Sequence, residues 1–284
     1  MVAKPLTEET TSRFVQTKEW RIHYSEAGTG YPVILLHGTG PGATGWSNFS
    51  QNIESLARKY RVIALDFPGW GRSDPVDPSQ DVRMLVNARA IKLLMDELGI
   101  ERAALVGNSM GGRATVQFTI DYPERISHFI TMGAFLAGIN NFTPAGAPSE
   151  GLRIIRETYR DPTPQNFRRL VNIMVYDSSY VTDELCELRS RAALANHDHL
   201  QNWLKPAKAA QAVDEAAALS QRKVPALIVH GRDDRVNPLE GSLRLNSVLP
   251  NSRLLVFNRC GHWAQLEHSE EFNDCVDRFI ERHP

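Results

Sequence analysis

The sequence predicts an α/β protein in which helices flank a mostly parallel central sheet. Two observations carry this prediction: short apolar runs that stop at turn residues, and helical patterns between those runs. The predicted strands are residues 33–36, 62–65, 103–106, 129–132, 226–229 and 254–257. Because these runs are apolar throughout, helices are expected to cover both of their faces. The alternation of strands and helices along the chain favours a parallel sheet.

Two of the helices can be placed from the spacing of their apolar residues. Between Met84 and Leu98 the apolar residues recur on one face of a helix. Near the C-terminus, Ser269 is expected to cap a helix whose apolar side runs from Phe272 to Ile280.

One long stretch, residues 137–208, contains no clear strand and is punctuated by prolines. A segment of about 70 residues between two strands is too long for a loop. Helical patterns such as Thr182–Ala195 lie within it. We therefore expect residues 137–208 to form a helical cap over one edge of the sheet. Residues 1–136 and 209–284 are expected to form the core.

Composition excludes several classes of protein. The 284 residues include 32 Lys+Arg and 33 Asp+Glu, so the net charge of −1 argues against a nucleic-acid partner. No apolar run approaches the ~18 residues of a membrane span, and the first residues lack the apolar stretch of a secretory signal. The three cysteines are unpatterned, which predicts neither disulfides nor a zinc site. A cytoplasmic location is expected.

A pentapeptide, Gly107-Asn108-Ser109-Met110-Gly111, follows the third predicted strand and leads into a helix. G-x-S-x-G in a strand–turn–helix context is typical of a nucleophile elbow, which predicts Ser109 as a nucleophile. The flanking glycines would allow the sharp turn. The alternative is a glycine-rich turn with an incidental serine.

A serine hydroxyl is a weak nucleophile without a base and an orienting acid. His262 follows the last predicted strand, and Asp233 and Asp234 follow the strand before it. Each candidate therefore falls at the end of a strand, where ligands bind in parallel sheets. We predict a Ser109–His262–Asp234 triad, because the first residue after the turn, Asp233, is expected to face solvent or a salt bridge.

The loop after the first predicted strand, His37–Gly42, consists mainly of small residues. An oxyanion needs two backbone N–H donors. The amide of Thr39 or Gly40, together with that of Met110, is predicted to supply them. A phosphate-binding loop is the rival interpretation, but no Lys-Ser/Thr follows the glycines.

Taken together, several motifs resemble the α/β-hydrolases and, more narrowly, the meta-cleavage product hydrolases. They are the elbow, HGTGPGA at 37–43, DFPG at 66–69, GRDDR at 231–235 and CGHWAQ at 260–265. The resemblance runs from about Thr11 to the C-terminus and implies the α/β-hydrolase fold. It implies hydrolysis of a C–C bond in 2-hydroxy-6-oxo-hexa-2,4-dienoates from catechol ring cleavage, giving a 2-hydroxy-2,4-dienoate and a carboxylic acid. It also implies that no cofactor or metal is needed.

The resemblance further implies that Asn48, Asn108, Arg189 and Trp263 surround the anionic dienoate. An arginine suits this role because it binds a carboxylate through two charge-assisted hydrogen bonds. Because the family is commonly dimeric or larger, a homo-oligomer is expected. Residues 134–139 and Arg113 depart from the family pattern near the expected pocket for the acyl group.

Two other functions fit the same motifs. One is a carboxylesterase that uses the same triad, for which Arg189 is irrelevant. The other is a ligand-binding protein without catalytic activity. The hydrolases of this fold that use an aspartate nucleophile are disfavoured by Ser109.

Overall fold

The computed structural model describes residues 6–136, 148–209 and 213–283. The strands are β1 Ser12–Gln16, β2 Arg21–Ala27, β3 Tyr31–Leu36, β4 Tyr60–Leu65, β5 Ala103–Asn108, β6 Ile126–Met132, β7 Ala226–Gly231 and β8 Ser252–Phe257. They form one sheet in the order β1-β2-β4-β3-β5-β6-β7-β8. β1 and β2 are antiparallel to their neighbours, and the remaining strands are parallel. The predicted mostly parallel sheet is confirmed.

The helices include the two that the apolar spacing predicts. In the described residues they are α1 Glu8–Thr11, α2 Gly45–Leu56, α3 Arg83–Glu97, α4 Met110–Asp121, α5 Glu150–Arg160, α6 Pro164–Met174, α7 Asp183–Leu194, α8 His197–Leu204, α9 Glu215–Ser220, α10 Leu239–Val248, α11 Ala264–Glu267 and α12 Ser269–Glu281. The prediction that Ser269 caps the last helix is wrong. Ser269 is the first residue of α12. His268, the C-cap of α11, occupies the N-cap of α12, and its side chain makes no capping hydrogen bond.

The sheet is buried on both faces over most of its width. Along β3, Ile34 and Leu36 belong to one hydrophobic cluster, whereas Val33 and Leu35 belong to another on the opposite face. The expectation of two covered faces is wrong for β8, which is an edge strand. Its Val256 is 39% exposed, and of the six residues of this strand only Phe257 is buried.

Between β6 and β7, the described secondary-structure elements are all helices, α5 to α9. α5 to α8 share a hydrophobic cluster that includes Phe167 and Met174, and Val236 and Trp263 join it from the rest of the chain. The predicted helix over 182–195 corresponds to α7, whose N-cap is Thr182. The boundary predicted at residue 137 lies outside the described residues. None of the described helices is both long and apolar enough to span a membrane.

Candidate active site

Ser109 occupies the turn between β5 and α4 in a strained backbone conformation. Its φ of 51° and ψ of −109° lie where side chains are rarely found. A Cβ at Gly107 would overlap the backbone of Gly111, and one at Gly111 would overlap the carbonyl oxygen of Leu36. The glycines of the elbow are therefore required by close packing of α4 against β3 and β5, and the turn presents the serine at the carboxyl end of the sheet.

The imidazole of His262 is held by Asp234. His262 Nδ1 lies 2.7 Å from Asp234 Oδ2, and Asp234 Oδ1 accepts hydrogen bonds from the amides of Val236 at 2.7 Å and Asn237 at 3.0 Å. Burial would raise the pKa of Asp234, but the charge and hydrogen bond of His262 and the amide of Asn237 outweigh it and lower that pKa. Asp234 is therefore a carboxylate, which only accepts hydrogen bonds, so Nδ1 of His262 carries its proton and Nε2 is the basic nitrogen.

Asp233 points elsewhere. Its Oδ1 lies 3.5 Å from Arg232 Nη2, and its Oδ2 accepts a hydrogen bond from the Cys260 amide at 3.4 Å. Asp234 is thus the carboxylate that meets His262.

His262 is positioned by residues that the sequence did not suggest. Its amide donates to the carbonyl of Met174 at the end of α6, at 2.6 Å. Gly133 has a φ of 58°, and a Cβ there would lie 2.8 Å from the imidazole ring of His262. Asn237 holds this glycine by donating to its carbonyl at 2.7 Å. The helical region and the loop after β6 together fix the histidine.

The predicted oxyanion loop is tied to Tyr159 of α5. The Gly40 amide donates to the Tyr159 hydroxyl at 3.2 Å, and Trp70 Nε1 donates to the same oxygen at 3.0 Å. The ring of Tyr159 stacks on Trp203 with centroids 3.7 Å apart. In this arrangement the amide of Gly40 is occupied. Met110 is the first residue of α4, where helix amides lack an intrahelical partner.

Two predicted substrate contacts, Asn48 and Asn108, are buried. Asn48 Oδ1 accepts the Gly38 amide hydrogen at 3.1 Å, which anchors the start of the oxyanion loop. Asn108 Nδ2 donates to the carbonyls of Met132 and His262 at 3.4 and 3.3 Å, whereas its Oδ1 is buried without a partner. Both side chains therefore brace the site through the backbone.

The other two predicted contacts, Arg189 and Trp263, line one cavity of about 740 Å³, here named the Arg189 cavity. The guanidinium carbon of Arg189 lies 5.5 Å from the centre of the Trp263 ring. Arg189 Nε is buried without a hydrogen-bond partner, and burial lowers the pKa of this side chain. A partly buried guanidinium without a carboxylate within 4.0 Å, among the residues that the structure describes, is chemically suited to bind an anion.

Ser109 lines a second cavity of about 650 Å³, here named the Ser109 cavity. Thr39 and Met110, both predicted oxyanion donors, also line it. The two cavities approach the same catalytic groups, because Ser109 lines one and the residue that follows His262 lines the other.

Comparison with known proteins agrees with this geometry. Residues 31–269 match the model of the alpha/beta hydrolase fold family. A 2-hydroxy-6-oxononadienedioate/2-hydroxy-6-oxononatrienedioate hydrolase of Burkholderia vietnamiensis is 45% identical, over 97% of this chain and 98% of the relative. A hydrolase of the same name from Escherichia coli is 44% identical, over 99% of this chain and 100% of the relative.

Solved structures point the same way. The meta-cleavage product hydrolase CumD of Pseudomonas fluorescens IP01 superposes with a TM-score of 0.83 at 31% identity, covering 96% of this chain and 98% of that one. The chain belongs to the meta-cleavage product hydrolases of the α/β-hydrolase family. The 2-hydroxy-6-oxo-6-phenylhexa-2,4-dienoate hydrolase of Rhodococcus sp. is a further neighbour, with a TM-score of 0.79 at 29% identity, covering 95% of this chain and 100% of that one.

A serine, a histidine and an aspartate also meet at the other edge of the sheet. His23 lies 2.8 Å from Ser12 Oγ through Nε2 and 2.7 Å from Asp66 Oδ2 through Nδ1. Asp66 also accepts the amides of Gly45 and Arg72, at 2.8 and 3.1 Å. Ser12 lies on the antiparallel edge strand β1 and lines neither cavity. The hydrogen bonds among Ser12, His23 and Asp66 therefore hold β1 and β2 to the rest of the sheet.

Proposed function

We propose that the chain hydrolyses the C–C bond next to the ketone of 2-hydroxy-6-oxo-dienoates through Ser109, His262 and Asp234. The observation that carries the proposal is the 2.7 Å contact between His262 and Asp234, together with a serine held at positive φ whose neighbour Asn108 donates to the His262 carbonyl. In the proposal, His262 activates this serine as a base that the carboxylate orients. The names of the relatives support the reaction class.

The reaction begins with ketonisation of the dienol, in which the hydroxyl proton at C2 is moved to C5. The C1–C5 fragment can then leave as a carbanion that the conjugated ketone at C2 stabilises. Ser109 Oγ then attacks C6 while His262 Nε2 takes the hydroxyl proton. The C5–C6 bond breaks, its electron pair delocalises onto the C2 oxygen, which takes the proton from His262, and C6 remains as an ester on Ser109. Water, deprotonated by His262, hydrolyses this ester. The products are a 2-hydroxy-2,4-dienoate and a carboxylic acid, so one water is consumed and no redox partner is needed.

The oxyanion on C6 would be stabilised by the amides of Thr39 and Met110. Thr39 is favoured over Gly40 because the Gly40 amide donates to Tyr159. Two backbone donors preorganised toward the oxyanion stabilise the transition state by several kcal/mol, of order 3–4 for each donor.

The C1 carboxylate would bind Arg189, whose Nε is buried without a partner. Trp263 would pack against the diene, because it lines the same cavity. Asn48 and Asn108 would complete the enclosure from the side of the oxyanion loop and the elbow. Among them, Asn108 Oδ1 is the buried acceptor without a partner. In this orientation the dienoate occupies the Arg189 cavity, and the group beyond the ketone occupies the Ser109 cavity.

The proposal is tested by following the yellow absorbance of a ring-cleavage product with wild-type protein, Ser109→Ala and Ser12→Ala. We expect the wild type and Ser12→Ala to bleach the dienoate and Ser109→Ala to lose turnover by about 10³-fold or more. A fluorophosphonate should label the wild type and Ser12→Ala but not Ser109→Ala. Normal turnover by Ser109→Ala would refute the mechanism.

We also propose a domain organisation, a cellular location and an oligomeric state for the protein. A division into a core (1–136 and 209–284) and a helical cap (137–208) is supported by the hydrophobic cluster that α5 to α8 share. A cytoplasmic location is supported by three cysteines that are all free. A homodimer or larger homo-oligomer is expected from the family, and sedimentation velocity would test it.

A further inference from the structure

The Ser109 cavity carries an unbalanced positive charge. Four arginines line it, Arg83, Arg113, Arg156 and Arg160, and no acidic residue lines it among the residues that the structure describes. The remaining residues, 1–5, 137–147, 210–212 and 284, contain no Asp or Glu. The positive charge of the cavity is therefore neutralised only where a carboxylate outside the lining pairs with one of these arginines.

Arg113 is neutralised in this way. Its guanidinium is paired with both carboxylate oxygens of Glu215, with Nη1 2.9 Å from Oε2, and Nη1 also donates to the Phe135 carbonyl at 3.1 Å. It therefore forms part of the cavity wall and is not available to a ligand.

Arg83 has no such counterion. Its Nη1 donates to the Pro68 carbonyl at 2.9 Å, and its guanidinium carbon lies 4.7 Å from the centre of the Trp70 ring. The nearby Asp81 is paired with Arg89 at 2.7 Å. Burial lowers the pKa of Arg83 to about 10, which is still far above neutral pH. A half-buried charge that only neutral groups accompany gains most from an anionic ligand.

Arg156 and Arg160 stand one turn apart on α5 and therefore share one face of that helix. Neither has a carboxylate within 4.0 Å in the described part of the chain, which includes every acidic residue. Their acidic neighbour Glu157 pairs with Arg153 at 3.2 Å and with Arg169 at 2.8 Å. Two exposed cations are thus added to the same wall of the Ser109 cavity.

We infer that Arg83, Arg156 and Arg160 bind a carboxylate at the far end of the group attached to the substrate ketone. This inference rests on the proposed function, in which that group occupies the Ser109 cavity. Arginine binds carboxylates through paired N–H donors, and the names of two sequence relatives specify dioates, which carry a second carboxylate. Hydrolysis of such a substrate releases a dicarboxylic acid from the Ser109 side.

The test compares two substrates, 2-hydroxy-6-oxonona-2,4-dienedioate and its analogue with a terminal carboxamide in place of the second carboxylate. We expect the wild type to prefer the dioate by about 30-fold in kcat/KM. In the Arg156→Gln/Arg160→Gln double variant that preference should fall about 10-fold, with the amide analogue within about twofold of wild type. Added salt should weaken the wild-type preference because these two side chains are exposed.

The matched control is Arg153→Gln, which removes an arginine of the same helix that is paired with Glu157. It should keep the wild-type preference. Arg83→Gln is expected to lower the preference for the dioate too. If its thermal unfolding temperature equals that of the wild type, the lower preference does not result from loss of the stacking on Trp70. A preference that the double variant retains would overturn the inference, as would a wild type that favours the amide.

Failure of the proposed function would look different, because the wild type would then hydrolyse neither compound. In that case, calorimetric titration with succinate tests whether the arginines bind a carboxylate. Butyramide, which carries no charge, serves as the comparison. Binding of succinate that is lost in the double variant would support the site, and equal binding by wild type and double variant would reject it.

Discussion

The Tyr159 hydroxyl lies 3.2 Å from the amide nitrogen of Gly40 and accepts its hydrogen. Tyr159 belongs to α5, whereas Gly40 belongs to the loop after β3. One hydrogen bond therefore joins the helical region between β6 and β7 to the loop that is proposed to stabilise the oxyanion. Thr39 Oγ1 also lies 3.3 Å from this hydroxyl.

Replacing Tyr159 by Phe removes the acceptor for the Gly40 amide. A buried donor without a partner costs about 1–3 kcal/mol, so the loop is expected to shift and kcat to fall about 10-fold, with a smaller change in KM. Steady-state kinetics and urea unfolding measure the two effects. Tyr122→Phe, which alters a tyrosine at the end of α4 that lines neither cavity, serves as the control. Unchanged kcat in Tyr159→Phe would contradict the role of Tyr159 in positioning the oxyanion loop.

Asp234→Asn should lower kcat by about 10³-fold or more, because an amide in place of the carboxylate no longer stabilises the imidazolium or fixes Nδ1 as the protonated nitrogen of His262. Asp233→Asn should stay within about threefold of wild type, since Asp233 faces Arg232 and the Cys260 amide. Single-turnover kinetics of both variants, with circular dichroism to check folding, distinguish them. Equal losses would show that the two carboxylates act together.

Arg189→Gln separates a dienoate hydrolase from an esterase. Loss of a charge-assisted contact to the C1 carboxylate should reduce kcat/KM for the dienoate about 10²-fold, or about 3 kcal/mol. Hydrolysis of a neutral p-nitrophenyl ester should change little. The control is Arg191→Gln on the same helix, because Arg191 is exposed and lies 3.6 Å from Glu187. Unchanged kcat/KM of Arg189→Gln for the dienoate would favour the esterase, and a loss of similar size on both substrates would contradict a role for Arg189 in binding the carboxylate.

The stability of the fold should fall on mild acidification. Burial lowers the pKa of four histidines, His37, His128, His199 and His230, below the ordinary value of 6.5. As the pH falls through about 6.5, the unfolded chain binds protons that the folded chain does not yet bind, so the free energy of unfolding decreases. Each histidine can contribute up to about 1.4 kcal/mol per pH unit.

Urea unfolding at about pH 7.5 and about pH 5.5 measures this slope. His230→Gln should make the slope shallower, whereas replacement of the exposed His197 by Gln should leave it unchanged. Equal stability of the wild type at the two pH values would contradict the prediction.

The sequence predicted six strands because each is a continuous apolar run that ends at a turn. β2 was missed because it carries His23 and Ser25, which are buried with 1% and 2% exposure. A polar side chain becomes acceptable in a strand when partners elsewhere satisfy it, as Asp66 and Ser12 do for His23. Such partners are distant in sequence and leave no local pattern.

Some candidate site residues have a local sequence pattern and others do not. Ser109, Asp234 and His262 could be predicted because each follows a strand, and parallel strands bring their carboxyl ends to one edge. Tyr159, Arg156 and Arg160 could not, because polar residues at helical spacing are equally typical of a solvent-exposed face. Their contact with the site depends on how the helical region lies against the sheet.

Among the described residues, the hydrophobic cluster of α5 to α8 takes two of its buried members, Val236 and Trp263, from outside that helical region. These two residues directly follow the segments that carry Asp234 and His262. An exchange of the whole insertion between homologues therefore needs to match these two apolar contacts and the hydrogen bonds that Tyr159 and Met174 make with the core. A chimera that keeps this joint would replace the wall that α5 contributes to the Ser109 cavity and leave Ser109, Asp234 and His262 on the sheet.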